Sequence, residues 1–455
     1  MFKTGIKFFS LLSLFIIFSA FIGSCAGRLG KTSAASQTII IGQSGFSENK
    51  ANRGKSVAAH SLNEPWDVTI DTTNSRIYVA DTKNNRVLRW DTITPTANDN
   101  ANLVLGQVNF TSGKENRDGD PDADTLKQPK GVHVAGTTVA VADTGNNRVL
   151  IWTSLPTANG QDANIVLGQD DDDLDGNFFN DNLPNQGGNK PDQNTLKEPV
   201  GVFIDTVNSR LIIADSGNNR ILVWNTLTPA NGADANLVVG QEIEPGSSDD
   251  PFVYNSINNN NDDVDDDGIP DPDSNSLFTE GISTGTPKIT FTAGSSVFLT
   301  GTNFFIDDQN NSRVLVYNVW PLVANADGST SSVAIGCIGQ TAFNKRFVNQ
   351  VPGNKSGTPN NNNLNYPFDM FSDGTRVWVS DTKNNRLIRF DSIPTACNAP
   401  AGTVIGQLSR FDGGSGVGPN RFNTPRGIFE VVSGTTRFLW IADSLNHRVI
   451  RITDS

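Results

Sequence analysis

Six times along the chain an Asp is followed five residues later by an Arg, mostly with Asn-Asn between them. The pairs are Asp81–Arg86, Asp143–Arg148, Asp215–Arg220, Asp308–Arg313, Asp381–Arg386 and Asp443–Arg448. A carboxylate and a guanidinium at this spacing could do chemistry, or they could hold a turn. Recurrence favours the turn, because a catalytic group is needed once and in one geometry. Asp accepts turn N–H groups, Asn tolerates a left-handed residue, and Arg pairs with a nearby carboxylate or carbonyl. A different chemistry is written in NNNNDDVDDDGIPDPDSNS, where Asp263, Asp265 and Asp267 alternate, Gly268 follows and Asp271 comes four residues on. Hard Ca²⁺ takes several oxygens from one short turn. Carboxylates at positions 1, 3, 5 and 9, with a backbone carbonyl at 7 (here Ile269), supply them. Ser274 stands at position 12, where a bidentate Glu would bind most strongly, so weak calcium affinity is expected. Asp171, Asp173 and Asp175 keep the same register before Gly176, but Phe179 fills position 9, which makes a weaker candidate. A solvated acidic linker is the alternative reading of both stretches.

Other catalytic signals are sparse. His60, His133 and His447 fall in a loop, a strand and a turn, whereas a zinc site wants imidazoles converging from equivalent places. No Ser/His/Asp spacing and no Gly-rich phosphate loop stands out. No catalytic residue is assigned.

What must position these residues is a repeat. The Asp-to-Arg motif alternates with an apolar run ending in Gly-Gln, at Gln43, Gln107, Gln169, Gln241, Gln340 and Gln407. A third motif, Pro-x-Gly/Asp-apolar, starts at Pro65, Pro129, Pro199, Pro367 and Pro425, with Gly294 in its place in the fourth copy. Each unit reads as four short strands, a to d, rich in Val, Ile and Leu without strict alternation, as strands buried on both faces do. Four-stranded units at this spacing predict a β-propeller. The fold class is therefore all-β, six-bladed. The aromatics closing strand c (Trp90, Trp152, Trp224, Tyr317, Phe390) read as packing between blades, with a carbohydrate-stacking row as the alternative. The repeats begin with a lone strand d, TIIIGQ at 38–43, and end with b and c lacking a d. The N-terminal strand should complete the last blade and remove an open edge.

Spacing separates two faces. From motif Asp to the next Gln the distance is 26 residues in four of five cases, while from Gln to the next Asp it runs from 36 to 67. The variation sits in the connection from d to the next a, which emerges on the same face as the b–c turn. That face should be the working one, since binding residues gather on loops held by a rigid scaffold. Tolerated insertions are the alternative.

Residues 1–24 have the layout of an export signal: Lys3 and Lys7, then an apolar run too short to be a good membrane span. Ile22-Gly23-Ser24-Cys25 resembles a bacterial lipoprotein processing box. The resemblance implies cleavage before Cys25 and lipid on its thiol, with 25–37 as a tether to the repeats over 38–455; an ordinary signal peptide with an incidental Cys, or an uncleaved anchor, is the alternative. The protein would then be held to the cell envelope by acyl chains, at the outer membrane or surface rather than the inner membrane. In an oxidising compartment Cys337 and Cys397 are a candidate disulfide, with two separate buried thiols as the alternative. The net charge is −13, but residues 242–290, the largest insertion, carry 12 Asp/Glu and one Lys. The rest is nearly balanced and has no basic cluster, which argues against nucleic acid as a partner.

The repeated P-x-G-V and ADT-x-N-N-R-V-L segments resemble the NHL-repeat family of six-bladed propellers. The acidic stretch at 263–271 is similar to the calcium loops of thrombospondin type 3 repeats. The NHL resemblance implies the fold. Its members include RNA-binding domains, protein-interaction domains and a zinc-dependent lyase, so it does not choose a function. The expectation is a monomeric, lipid-anchored module that binds a protein, small molecule or glycan, with calcium ordering the 242–290 loop. The alternative is a metal-dependent hydrolase or lyase using the central channel.

Overall fold

The computed structural model describes residues 31–32, 37–169, 179, 182–188, 190–240, 296–320, 334–351 and 357–454. The apolar runs pair into six sheets of four successive strands, a to d, each strand antiparallel to the one before. In blade 1 these are Pro65–Asp71, Arg76–Asp81, Arg86–Trp90 and Leu103–Leu105. Blade 2 holds Gly131–Ala135, Thr138–Asp143, Arg148–Trp152 and Ile165–Leu167. Blade 3 holds Val202–Asp205, Arg210–Asp215, Arg220–Trp224 and Leu237–Val239. Blade 4 holds Val297–Thr300, Asn303–Asp308, Arg313–Tyr317 and Gly336–Ile338. Blade 5 holds Met370–Ser372, Val377–Asp381, Arg386–Phe390 and Thr403–Ile405.

Blade 6 is shared between the chain ends, as the repeat register predicts. Pro425–Ser433, Thr436–Asp443 and Arg448–Asp454 are its first three strands, and Gln37–Ile41 is its fourth. Ile40 lies opposite Ile450 and Ile41 opposite Val449, so the ring closes without a missing outer strand. Closure starts at residue 37, one residue earlier than expected. Within the expected 25–37 tether, Lys31–Thr32 runs parallel to Thr403–Val404, on the outer edge of blade 5. An outer strand offers unpaired N–H and C=O groups, which accounts for the extra pairing.

The core lies between blades. In one cluster Ile212, Ala214, Ile221 and Val223 of blade 3 pack on Phe304, Ile306, Leu315 and Tyr317 of blade 4. Inner strands are buried on both faces because each sheet is covered by two neighbours. The aromatics closing strand c are all buried, and the indole N–H groups of Trp90, Trp152 and Trp224 donate to the carbonyls of Asp99, Gln161 and Ala233. They are core residues that tie down the c–d connection, so they offer no platform for a sugar.

Cys337, in the outer strand of blade 4, is disulfide-bonded to Cys397, in the c–d connection of blade 5. Cys25, Gly294 and all the calcium candidates lie outside the described residues.

Candidate functional site

The six Asp–Arg pairs stay within their own blades and form no common centre. In blade 1 the Arg86 Nε donates to Asp81 Oδ2 at 2.8 Å, and both side chains are fully buried. Asp81 Oδ2 also accepts the Asn84 amide at 2.8 Å, and Oδ1 accepts the Asn63 backbone N–H at 2.7 Å. Burial pushes this carboxyl upward, and Arg86 and the N–H donors oppose that shift. The second Asn, Asn85, sits in the left-handed region at φ 51°. Its side chain accepts the Gln128 N–H at the entry to blade 2, while Thr82 donates to the Pro129 carbonyl. Each turn thus anchors the start of the next blade. Gln107 completes the joint by donating to the carbonyls of Asn85 in the turn and Lys114 in the d–a connection.

These contacts place the b–c turns and the d–a connections on one face. Asn52 with Asn84, Asn116 with Asn146, and Asn185 with Asn218 bond across it. Every strand a starts at this face and runs inward along the channel, so the residues leading into strand a form the channel mouth.

The blades differ most usefully at that mouth. The residue after the motif Pro is Trp66 in blade 1, Lys130 in blade 2, Val200 in blade 3, Phe368 in blade 5 and Arg426 in blade 6. Trp66 and Phe368 meet edge to face with centroids 5.2 Å apart. The Arg426 guanidinium lies 3.5 Å and the Lys130 ammonium 4.5 Å from the Trp66 ring centroid. Both cations are more than nine-tenths buried. Burial pushes the Lys130 ammonium down to about 8, opposed by Glu198 and assisted by Arg426 and Lys83. Burial likewise lowers the Arg426 guanidinium, with Glu64 opposing. Arg426 donates to the Ser444 hydroxyl at 3.0 Å. Among the described residues, no carboxylate forms a salt bridge with either cation, and the buried Trp66 Nε1 has no acceptor. Across blades 4 to 6 a pocket is lined by Gln309, Tyr366, Phe368, Thr382, Lys383, Thr424 and Arg426.

One step inward stand Asp67, in strand a of blade 1, and Ser296 and Asp369, just before strand a of blades 4 and 5. Asp67 Oδ2 accepts the Val132 N–H of the next blade at 2.9 Å, and Asp369 Oδ2 accepts that of Ile428 at 2.7 Å. Ser296 donates to the other oxygen of Asp369. Gly427 must stay small, because an added Cβ would lie 2.4 Å from Asp67 Oδ1. Burial pushes Asp67 up to about 6, and burial with the Asp67 charge pushes Asp369 up to about 8. Asp307 in blade 4 is pushed well up by burial and by the charges of Asp308 and Asp369, and neither of its oxygens has a hydrogen-bond partner.

Deeper still is a collar of rings. His133, Phe203, Phe298, Phe371 and Phe429 follow one another around the channel with centroid spacings of 4.5, 5.5, 4.8 and 5.3 Å. Thr69 holds the equivalent position in blade 1. Burial lowers His133 to about 4, and its neutral ring accepts the Ile204 N–H at 3.2 Å. The channel between the carboxylates and this collar admits only a few water-sized guests.

The three histidines do not converge. His60 pairs with Asn100, and His447 is the turn residue that accepts the Glu64 N–H. Among the described residues no group of three His, Cys, Asp or Glu side chains is placed to hold a metal ion. The mouth and the collar were missed by reading for motifs, because they occupy the columns where the copies disagree. Stacking PWDVT, PKGVH, PVGVF, PFDMF and PRGIF exposes them: column two varies in chemistry, and column five is aromatic or His in every copy but the first.

Residues 62–90 match the NHL repeat family. Among curated proteins, none matches the chain. The fold is similar to a solved structural-genomics protein of unknown function from Bacteroides thetaiotaomicron. That pair is 14% identical, with a TM-score of 0.45, over 92% of this chain and 76% of the other. An auxiliary nutrient binding protein from Bacteroides ovatus is 11% identical, with a TM-score of 0.42, over 94% and 76%. A streptogramin B lyase is 10% identical, with a TM-score of 0.38, over 86% and 93%.

Proposed function

The chain is a six-bladed β-propeller carrying an NHL repeat, and we propose that it works as a binding module of the cell envelope. In this reading an acyl chain on Cys25 holds it to the membrane, and calcium on Asp263, Asp265, Asp267, Asp271 and the Ile269 carbonyl orders the 242–290 loop. The observation that carries the reading is the channel mouth. Turns that are otherwise nearly identical frame two aromatic rings and two buried cations there, at positions where the repeat leaves side-chain chemistry free. Recognition sites combine apolar walls with a few placed polar groups in this way. Probing arrays of glycans, peptides and small metabolites with the purified full chain tests it. Ligands should be captured by the wild type and lost on Lys383→Glu, an exposed residue of the mouth face. No capture, or capture indifferent to that substitution, would remove the reading.

The buried carboxylates Asp67, Asp307 and Asp369 favour a second reading, a hydrolase or lyase working in the channel, since raised carboxyls are suited to general acid work. Chelator-sensitive turnover of ester or lactone substrates that disappears in Asp369→Asn supports it, and turnover unchanged by both treatments removes it.

A further inference from the structure

Two cations and an indole N–H are buried together at the mouth. A buried ammonium or guanidinium is costly unless paired with an anion, and a buried indole N–H is costly without an acceptor. Lys130 and Arg426 have no carboxylate partner among the described residues, and the Trp66 Nε1 has no acceptor. The ring contacts supply part of the compensation. They leave the net positive charge of the pair in place. Lys83 and Lys383, at the same position of the turns in blades 1 and 5, are close enough to act on Lys130 and to feel Arg426 respectively. Against these four cations stand Glu64 and Glu198. The two cations without a carboxylate partner call for an acceptor carrying negative charge beside an aromatic wall.

We propose that the channel mouth binds a small-molecule oxyanion, a carboxylate or phosphate borne on a flat apolar ring. Arg426 and Lys130 hold the charge, and the rings of Phe368 and Tyr366, which line the pocket beside Arg426, face the apolar part. The planar guanidinium suits either oxyanion, because both accept paired N–H donors. The collar of His133, Phe203, Phe298, Phe371 and Phe429 closes the channel below, so the ligand enters and leaves by the mouth.

The inference rests on the binding-module reading and names its ligand class. Calorimetric titration of the full chain with benzoate, phenyl phosphate and neutral benzamide tests it. At least one of the two anions should bind with a millimolar or tighter dissociation constant, and benzamide at least tenfold more weakly. Benzoate alone binding assigns the carboxylate, and phenyl phosphate alone assigns the phosphate. Arg426→Gln and Lys130→Met should each weaken the anion at least tenfold. The wild-type affinity should fall as pH rises through about 8, where Lys130 loses its proton beside Glu198, Arg426 and Lys83, and this dependence should vanish in Lys130→Met. If Arg426→Gln does not fold, Lys383→Glu on the exposed turn takes its place and should also weaken binding. Failure of both anions at high millimolar concentration, equal binding of benzamide, or affinity unchanged in the folded variants overturns the proposal. If array ligands still bind while the anions fail, the module reading stands and only the ligand class falls.

Discussion

At the scale of single residues, the same two side-chain types play opposite parts. The motif Asp and Arg are buried together and fully partnered, so they are fixed structure. Replacing Asp215 by Ala leaves the buried Arg220 without its 2.7 Å partner. Removing one member of such a pair costs about 3–5 kcal/mol. Denaturant unfolding should show that loss, while ligand affinity measured on the fraction still folded stays unchanged. The channel carboxylates behave differently. Asp67 is raised by burial and Asp369 by burial and the Asp67 charge, with Ser296 and Asp307 beside them. The folded state therefore keeps protons that the unfolded chain releases, and their contribution to stability falls as pH rises from about 4 through the folded values near 6 and 8. Asp369→Asn retains an oxygen for the Ile428 N–H but no longer titrates. Its melting temperature relative to wild type should rise between about pH 5 and pH 9. An equal offset at both ends would show that the carboxyl carries no such linkage.

At the scale of the element, most of the fold was legible because it is written six times. Strand order, the turn motif and the shared last blade all follow from copies that agree. The mouth was not legible in the same way. Trp66, Lys130, Phe368 and Arg426 are each unremarkable in their own copy and become a group only when the ring brings the starts of strand a together. The acidic stretches drew attention because their pattern is local, and they lie outside the described residues. Ring closure depends on Ile39, Ile40 and Ile41, all buried in the outer strand that completes the last blade. The Cys337–Cys397 bond performs a related job in joining blades 4 and 5 across 60 residues of sequence. Closing a loop of that length in the unfolded chain is worth about 4 kcal/mol. Cys337→Ser with Cys397→Ser should lower stability by that amount. Addition of reductant should bring the wild type to the same midpoint and leave the double variant where it is.

At the scale of the whole molecule, the strand directions say which way the mouth points. Strand b runs toward the mouth, c away from it and d toward it again. Gln37 therefore begins the shared outer strand on the opposite face, and Lys31–Thr32, parallel to the outer strand of blade 5, advances in the same sense. A lipid on Cys25 would be joined to Lys31 by six residues, which span at most about 20 Å when extended. The chain would thus be held by its outer rim from the face opposite the mouth, and the binding face would be turned away from the membrane. Two measurements follow. Cys25→Ser should move the protein from the membrane fraction to the soluble fraction. On vesicles carrying the lipidated protein, a cysteine placed at Lys383 on the mouth should react with a bulky maleimide as fast as it does in the detergent-solubilised protein. A cysteine placed at Thr137 or Thr436, on the opposite a–b turns, should react more slowly on vesicles than in detergent. Equal slowing at both faces would mean that the tether does not orient the ring, and slowing at Lys383 alone would mean that the mouth is turned toward the bilayer.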